Sequence, residues 1–524
     1  MPLKNIKTGL LSSTRDSNWE KKMKILFITP ETFDKEEGYT KEDLTFIGFP
    51  SLTAGVIGAL TPLEIAEFKA IDEAIEPIRT SEDFDGFQTD IIALSVNMSY
   101  KANRAMKIAS EFRRRRKIVV WGGVHVTALY DHHRERFEKE IEPYADAVVL
   151  GEAEEVWPQL IWDMYKNSPK KIYRAGDRPK SDSWPQPRYD LISSDKFLVK
   201  NSRQATRGCP LDCEFCSVTS FSGSAFRKRD AKIVANDIRE TLSQRKQGFG
   251  RSFFAFVDDN ICFDRGYFAE LALHLIEVKK EFPKFCWGGQ TNLYSIDKSA
   301  RYKGAEYSLG DLMQRSGCLA MFVGIESVSK ESLAGANKSF NEVEKYPDQI
   351  KKFHDYGIML NAGMVFGFDT DTENVFGDTY EFLVKNKVEI SLLNILVPLP
   401  GTTLYKRYDA EGRLFDHNWE NYDGRHVVYY PSLMTPEQLE RGFFDLWKAL
   451  YSWPSIVKRV VHPSQVIAAL HSLPNMSKIS QIVSRTYMNK RYAEISSRIA
   501  RARRSSSKDR FARNIAFSSS YRAG

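Results

Sequence analysis

The chain has 524 residues, 42% hydrophobic and 27% charged, the proportions of a soluble globular protein of about three domains. These figures exclude a disordered, collagenous or membrane-dominated chain, and six cysteines are too few for a disulfide scaffold, so they read as reduced thiols or ligands in a cytoplasmic protein. The net charge of +7 is local: residues 498–524 carry eight Lys/Arg against one acid and the remainder is balanced, which argues against a nucleic-acid partner.

Residues 1–22 have no sustained apolar core and no small-residue cleavage site, and are expected to form a leader rather than a secretory signal. Residues 23–170 predict a doubly wound, Rossmann-like α/β domain. Met23–Thr29, Ile91–Asn97, Lys117–Gly123 and Ala145–Leu150 are the near-continuous apolar runs of parallel strands buried on both faces. Helices are expected over Lys101–Arg116 and Glu152–Tyr165, and a ligand beyond the carboxyl ends of the strands. No GxGxxG follows these strands, which disfavours a nicotinamide or flavin dinucleotide. Leu44 to Leu63 is free of charge, but Pro50, Pro62 and three glycines favour a loop and buried helix over a membrane span. The arginines at 113–116 read as a solvated helix end that complements the dipole.

Residues 171–200 have the Pro/Ser/Asp composition of a linker. Over 201–400 a second series predicts a partial (β/α)6 TIM-like barrel, with strands at 201–207, Ser252–Asp258, Phe285–Thr291, Leu319–Ser327, Met359–Phe368 and Ile390–Val397. Catalytic groups in such a fold gather at the strands' C-terminal ends. Residues 401–475 predict a mostly helical region. Thr435-Pro436-Glu437-Gln438 forms a helix start, and Phe443, Phe444, Trp447, Leu450 and Tyr451 are expected to pack on the barrel, with a lid over a large apolar substrate as the second reading. Over 476–524, Val483, Tyr487, Met488, Tyr492, Ile495 and Ile499 form an apolar stripe among basic residues. Such a helix suits peripheral contact with an anionic membrane at its inner face, or equally packing on the body.

Arg207-Gly208-Cys209-Pro210-Leu211-Asp212-Cys213-Glu214-Phe215-Cys216 gathers three of the six cysteines after the barrel's first strand. Thiolates bind iron–sulfur clusters and structural zinc, but a closed zinc site needs a fourth ligand and no second Cys/His pair lies nearby. Cys262, Cys286 and Cys318 are isolated. Three ligands on a four-iron cluster leave one iron open.

CxxxCxxC at this place resembles the radical S-adenosylmethionine (SAM) enzymes. The resemblance implies a [4Fe-4S] cluster on Cys209, Cys213 and Cys216 as metal ligands and catalytic residues. It implies SAM on the open iron, split to methionine and a 5′-deoxyadenosyl radical. It continues through Val257-Asp258-Asp259-Asn260, Gly324-Ile325-Glu326-Ser327, Gly367-Phe368-Asp369 and Pro398-Leu399-Pro400-Gly401-Thr402, and implies SAM contacts from Asp258, Asp259, Glu326 and Ser327. Read alone, Glu326 is equally a barrel-mouth carboxylate in a salt bridge.

Trp121-Gly122-Gly123-Val124-His125-Val126-Thr127-Ala128-Leu129, followed by Ala145 to Glu152, is similar to the cobalamin-binding half of cobalamin-dependent radical SAM proteins. This implies cobalamin against Gly122, Gly123, His125, Gly151 and Glu152, where glycines admit a flat macrocycle close to the backbone. The DxHxxG motif of methyltransferase-type corrinoid domains is missing after the first strand. Asp131-His132-His133-Arg134-Glu135-Arg136 imitates it with Arg for Gly, so cobalt is expected to carry no protein histidine, and His125 to serve as a hydrogen-bonding residue. The aromatic C-terminal region resembles hopanoid and bacteriochlorophyll-pathway C-methylases, which implies a bulky apolar small-molecule substrate. In that reading an unactivated carbon loses hydrogen and takes a methyl from methylcobalamin, a second SAM restores the methyl, and a ferredoxin- or flavodoxin-type partner supplies electrons. The alternatives are a cobalamin-dependent cyclase or oxidase without methyl transfer and a non-catalytic cobalamin sensor or carrier. An RNA methylthiotransferase is a third, disfavoured because residues 1–208 contain no cysteine.

Overall fold

The computed structural model of the chain describes residues 22–32, 49–79, 81–176, 178–192, 197, 199–244 and 252–460. The expected leader up to residue 21 and the basic helix over 476–524 lie outside them.

The first sheet contains β1 (Met23–Thr29), β2 (Ala66–Asp72), β3 (Ile91–Ser95), β4 (Ile118–Gly122), β5 (Ala147–Leu150) and β6 (Ile172–Arg174). All are parallel, in the order β2-β1-β3-β4-β5-β6. β3 and β5 are buried at every position because both faces are covered. Along β1, Leu26 and Ile28 face one core, with the helix Ala102–Arg114, while Ile25 and Phe27 face a second, with the helices Leu52–Leu60 and Val156–Tyr165. The two edge strands carry no such run: β2 alternates, and β6 is three residues inside the stretch read as a linker.

Within the described part of the charge-free stretch, the helix Leu52–Leu60 is covered by the chain itself. A Cβ on Gly58 would lie 2.2 Å from Leu191 Cδ1, and one on Gly55 would lie 3.0 Å from Ile192 Cδ1, so residues 187–192 lie directly on the helix Leu52–Leu60. Among the described residues no helix is long and apolar enough to cross a membrane.

The second sheet is a partial barrel. In chain order come β7 (Asn201–Arg203), β8 (Thr206–Arg207), β9 (Arg227–Lys228), β10 (Ser252–Phe256), β11 (Phe285–Thr291), β12 (Ser299–Tyr302), β13 (Ala305–Ser308), β14 (Cys318–Glu326), β15 (Met359–Phe366) and β16 (Ile390–Ile395). β7, β10, β11, β14, β15 and β16 neighbour one another in that order, all parallel. β12–β13 is a hairpin beside the barrel, and β8–β9 is a two-residue antiparallel pair. The single first strand expected over 201–207 is therefore split. The Asp258 carboxylate takes the amides of Ala205 (3.1 Å) and Thr206 (2.5 Å), turning the chain out of the sheet there.

The helix Pro436–Leu450 starts on a capping box, with Gln438 N donating to Thr435 Oγ1 and Thr435 N to Gln438 Oε1. It buries Leu439, Phe443, Leu446 and Leu450, with the Phe443 ring 6.3 Å from Phe366 of β15, so its aromatics serve packing. One apolar cluster runs from Leu26 and Trp121 of the first sheet through the barrel to Trp447, joining the two sheets in a shared core.

Candidate functional site

The cysteine loop leaves the barrel at β8 and returns at β9. Gly208 sits at φ +87°, and a Cβ there would lie 2.3 Å from Ala225 O, so the turn into Cys209 requires glycine. The loop is pinned from two sides. Beyond β14, Asn337 Nδ2 donates to Asp212 O (2.6 Å) and Glu214 N to Ala336 O (3.2 Å). Beyond β16, Leu404 N donates to Glu214 O (3.0 Å), and Arg407 grips the Glu214 carboxylate with Nε and Nη2 (2.7 and 3.1 Å). This two-pronged geometry fixes orientation as well as distance.

Asp369 completes the anchor by accepting from Arg407, Arg413, Tyr408 and Ser432. Burial alone would raise its carboxyl, but the bonds from Arg413, Arg407 and Ser432 bring it down to about 2. A depressed folded value means that these contacts stabilise the fold above the ordinary carboxylate range and are lost as pH falls from about 4 to about 2. Thermal melts across that window should fall more steeply for the native chain than for Asp369→Asn; equal slopes would show that the anchor is not electrostatic.

Cys209, Cys213 and Cys216 are half-buried. Burial pushes the Cys213 thiol up to about 11 and the Cys216 thiol up to about 12. Thiols in such surroundings are inert until metal charge deprotonates them. Among the described residues no three His, Cys, Asp or Glu side chains form a group that could hold a metal ion. Three thiols on one loop are the donor type that iron–sulfur clusters take. Cys262, Cys286 and Cys318 are buried in the barrel wall.

At the end of β14, Glu326 stands at φ +66°, a costly conformation for a residue with a side chain. Lys338 Nζ meets its Oε1 at 2.6 Å, and a Cβ on Gly324 would lie 2.3 Å from that same oxygen. Gly324 thus leaves the room in which the pair lies. Burial opposes the Lys338 charge, but Glu326 and the nearby Cys213 thiol outweigh it and hold its pKa above the ordinary value. Lys338 belongs to this site without any motif announcing it; a lysine twelve residues past a glutamate carries no sequence signal.

The other residues taken as SAM contacts divide. Asp258 is buried and binds the Ala205 and Thr206 amides and Thr206 Oγ1, so it shapes the β7–β8 break instead of facing the barrel mouth. Ser327 is buried and accepts from Ser329 N, a turn contact. Asp259 accepts from Gly208 N (3.1 Å) and does face open space.

That space is a cavity of about 500 Å³ between the two sheets. It gathers Gly122, Gly123, Gly151 and Glu152 from the carboxyl ends of β4 and β5 with Arg207, Asp259 and the helix Ser217–Ser222 of the barrel. It extends past Phe27, Ala93 and Val149 towards Ile57 of the helix Leu52–Leu60. The two positive-φ glycines have different duties. Gly123 (φ +110°) would drive a Cβ to 2.6 Å from Val96 O, so it is required by the fold. Gly151 (φ +77°) has nothing within 4 Å of where a Cβ would stand, so its bare face opens a cradle that a side chain would occupy.

His125 does not line this cavity. Its Nδ1 pairs with Ser99 Oγ at 3.0 Å and its ring stands edge-on to Trp419 at 4.9 Å. Burial, with Arg136 adding to it, pushes its pKa down to about 3, so it is a neutral packing residue between the first sheet and the C-terminal region. His133 packs on Tyr405, and His132 lies beside Gly401. Glu152 lines the cavity, but its carboxylate is held by Arg207 and Arg227; burial would raise it, and the two guanidiniums keep it below its ordinary range.

Comparison with known proteins agrees with this architecture. Residues 204–383 match the radical SAM superfamily. The chain is 29% identical over 383 residues to bacteriochlorophyllide d C-12(1)-methyltransferase of Chlorobaculum tepidum, covering 72% of this chain and 78% of that one. It is 28% identical over 308 residues to the hopanoid C-2 methylase of Rhodopseudomonas palustris, covering 58% and 54%. Its fold is that of the radical SAM methyltransferase TsrM from Kitasatospora setae, solved with cobalamin and a [4Fe-4S] cluster, with a TM-score of 0.62 at 12% identity over 91% of this chain and all of that one. With three thiols on the loop after the barrel's first strand, residues 204–383 match the radical SAM superfamily, and the relatives that the chain resembles are named as methyltransferases.

Proposed function

We propose that this protein is a cobalamin-dependent radical SAM C-methyltransferase acting on an unactivated carbon of a bulky apolar molecule, of the hopanoid or bacteriochlorophyll-type tetrapyrrole class. The observation that supports this reading is the cavity whose two walls belong to different sheets, one the glycine cradle of β4–β5 and the other Arg207, Asp259 and the helix Ser217–Ser222, which directly follows the last of the three cysteines. When bound, a [4Fe-4S] cluster with SAM supplies one-electron cleavage and hydrogen abstraction, and cobalamin supplies the methyl group.

Cys209, Cys213 and Cys216 would hold the cluster, on a loop kept rigid by Glu214–Arg407 and Asn337–Asp212. The Lys338–Glu326 pair offers charge of both signs at the mouth of β14, suited to the amino and carboxylate groups of SAM. Gly151 leaves room for a flat macrocycle against the strand ends, and the recess towards Ile57 extends the site away from the barrel. The shared core holds these walls in place, so the chain's own work is to orient reactants and keep water from reactive species. Electrons come from a ferredoxin- or flavodoxin-type partner.

Anaerobically purified protein supplied with iron, sulfide and hydroxocobalamin should retain iron and cobalamin through gel filtration and consume SAM when reduced. Lipid and pigment extracts of a deletion strain should contain compounds lighter by one methylene. Tetrahedral zinc in place of iron and sulfide, or extracts of unchanged mass, would remove the reading.

A further inference from the structure

We propose that Glu152 and the two arginines it holds form a clasp that sets the cysteine loop against the cavity of the first sheet, which makes Glu152 a positioning residue. The inference rests on the cofactor reading above and concerns how the two cofactor walls are kept in register.

Arg207 and Arg227 stand directly opposite each other in the β8–β9 ladder, the pair that closes the loop carrying all three cluster cysteines. Both guanidiniums reach out of the barrel to the same carboxylate at the end of β5. Arg207 Nη1 lies 2.8 Å from Glu152 Oε2; Arg227 Nη1 lies 2.9 Å from Oε2, and its Nη2 lies 2.5 Å from Oε1. Arg207 Nη1 also meets Glu154 Oε1 at 2.6 Å, and its plane lies 4.2 Å over the Trp184 ring. Arg227 Nη1 and Nη2 donate to Pro179 O and Ser222 O. The carboxylates are only 6% and 3% exposed.

A buried ion network of this kind adds little net stability over an apolar filling of the same shape. It does fix distance and angle together, because Arg227 meets both Glu152 oxygens with its two terminal nitrogens while Arg207 Nη1 bridges Glu152 and Glu154. The ladder transmits that placement to the cluster loop: Arg207 is two residues before Cys209, and Arg227 is at the loop's return. At the other end, Gly151, the residue before Glu152, opens the cradle. One turn after β5 therefore carries both the bed of one cofactor wall and the clasp on the other. Since both Glu152 oxygens already accept from arginine, the residue serves the cavity through geometry and not as a direct ligand of its contents.

The test is the dipolar coupling between the reduced cluster and cob(II)alamin, measured by pulsed EPR on the full-length protein loaded with iron, sulfide and hydroxocobalamin. Glu152→Gln keeps the shape but cannot neutralise two guanidiniums. It should retain iron and cobalamin yet lose the single inter-spin frequency of the native protein. Arg207→Lys, which keeps the charge without the fork, should do the same. An unchanged frequency in these variants overturns the clasp, as does weakened cobalamin binding at unchanged frequency, which would make Glu152 a direct contact. If Glu152→Gln does not accumulate folded, Arg207→Lys and the milder Glu154→Gln decide by the same measurement. Absence of bound cobalamin in the native protein would instead overturn the cofactor reading, and the clasp with it.

Discussion

Replacing Cys213 with alanine is expected to leave a folded protein that no longer cleaves SAM. The loop's position does not depend on this thiol: Glu214, Asp212 and the Cys209 amide make the contacts that hold it. Removing one half-buried sulfur should therefore cost about 1 kcal/mol or less of stability. The effect on chemistry is far larger, because three thiolates are the whole donor set that the loop offers, and two leave the cluster without a protein ligand on a second iron. Iron and sulfide content, the EPR signal after reduction and the yield of 5′-deoxyadenosine should all fall to background while the melting curve stays in place. Cys262→Ala should do the reverse. Cys262 is fully enclosed after β10, so its loss leaves a small cavity costing about 1–2 kcal/mol, with iron content and SAM cleavage unchanged. Retained cleavage in Cys213→Ala would falsify the cluster assignment, whatever the control does.

Much of this was legible because burial on both faces leaves a compositional trace. β1, β3, β4 and β5 are covered by helices on each side, and so are nearly unbroken apolar runs. β2 and β6 lie at the sheet's edges, where half-covered or very short strands give only alternation or nothing. The barrel strands carry apolar runs too, and the break within 201–207 rests on a contact 52 residues away, Asp258 on Thr206, which no local pattern contains. Site residues divide in the same manner. The cysteines and glycines announce themselves through spacing and conformation. The direction of a carboxylate does not: Asp258 and Asp259 are adjacent, yet one is consumed by backbone amides and the other faces the cavity. His125 shows the converse, a residue in the motif whose ring turns towards Ser99 and Trp419 and is absent from the cavity's lining. Lys338 and the Arg207–Arg227 pair depend on tertiary pairing alone.

The glycines of the cradle give the second large effect, and they separate a binding role from a folding role. Gly151→Leu should fold, because a Cβ at that position meets nothing within 4 Å. Its positive φ adds roughly 1–2 kcal/mol of strain, enough to lower the melting temperature by a few degrees but not to prevent assembly. The leucine side chain then projects into the cavity, where forcing it against a bound macrocycle costs about 1–3 kcal/mol, which corresponds to roughly 5- to 150-fold weaker cobalamin binding. Gly151→Ala, with the same backbone strain and a smaller intrusion, should fall between the leucine variant and the native protein. At Gly123 the order of effects is reversed. Its Cβ would stand 2.6 Å from Val96 O and 2.8 Å from Asn97 Oδ1, so even alanine displaces the β3–β4 ends, and the loss appears first as a lowered melting temperature without cobalamin. Titrating hydroxocobalamin by absorbance alongside apo-protein melts distinguishes the two. If Gly151→Leu binds as tightly as the native protein, the macrocycle does not lie against β5; if Gly123→Ala melts unchanged, the close approach to Val96 is relaxed at little cost. The cradle reading requires that the first substitution act on binding and the second on folding, because one glycine faces the cavity and the other faces the neighbouring strand.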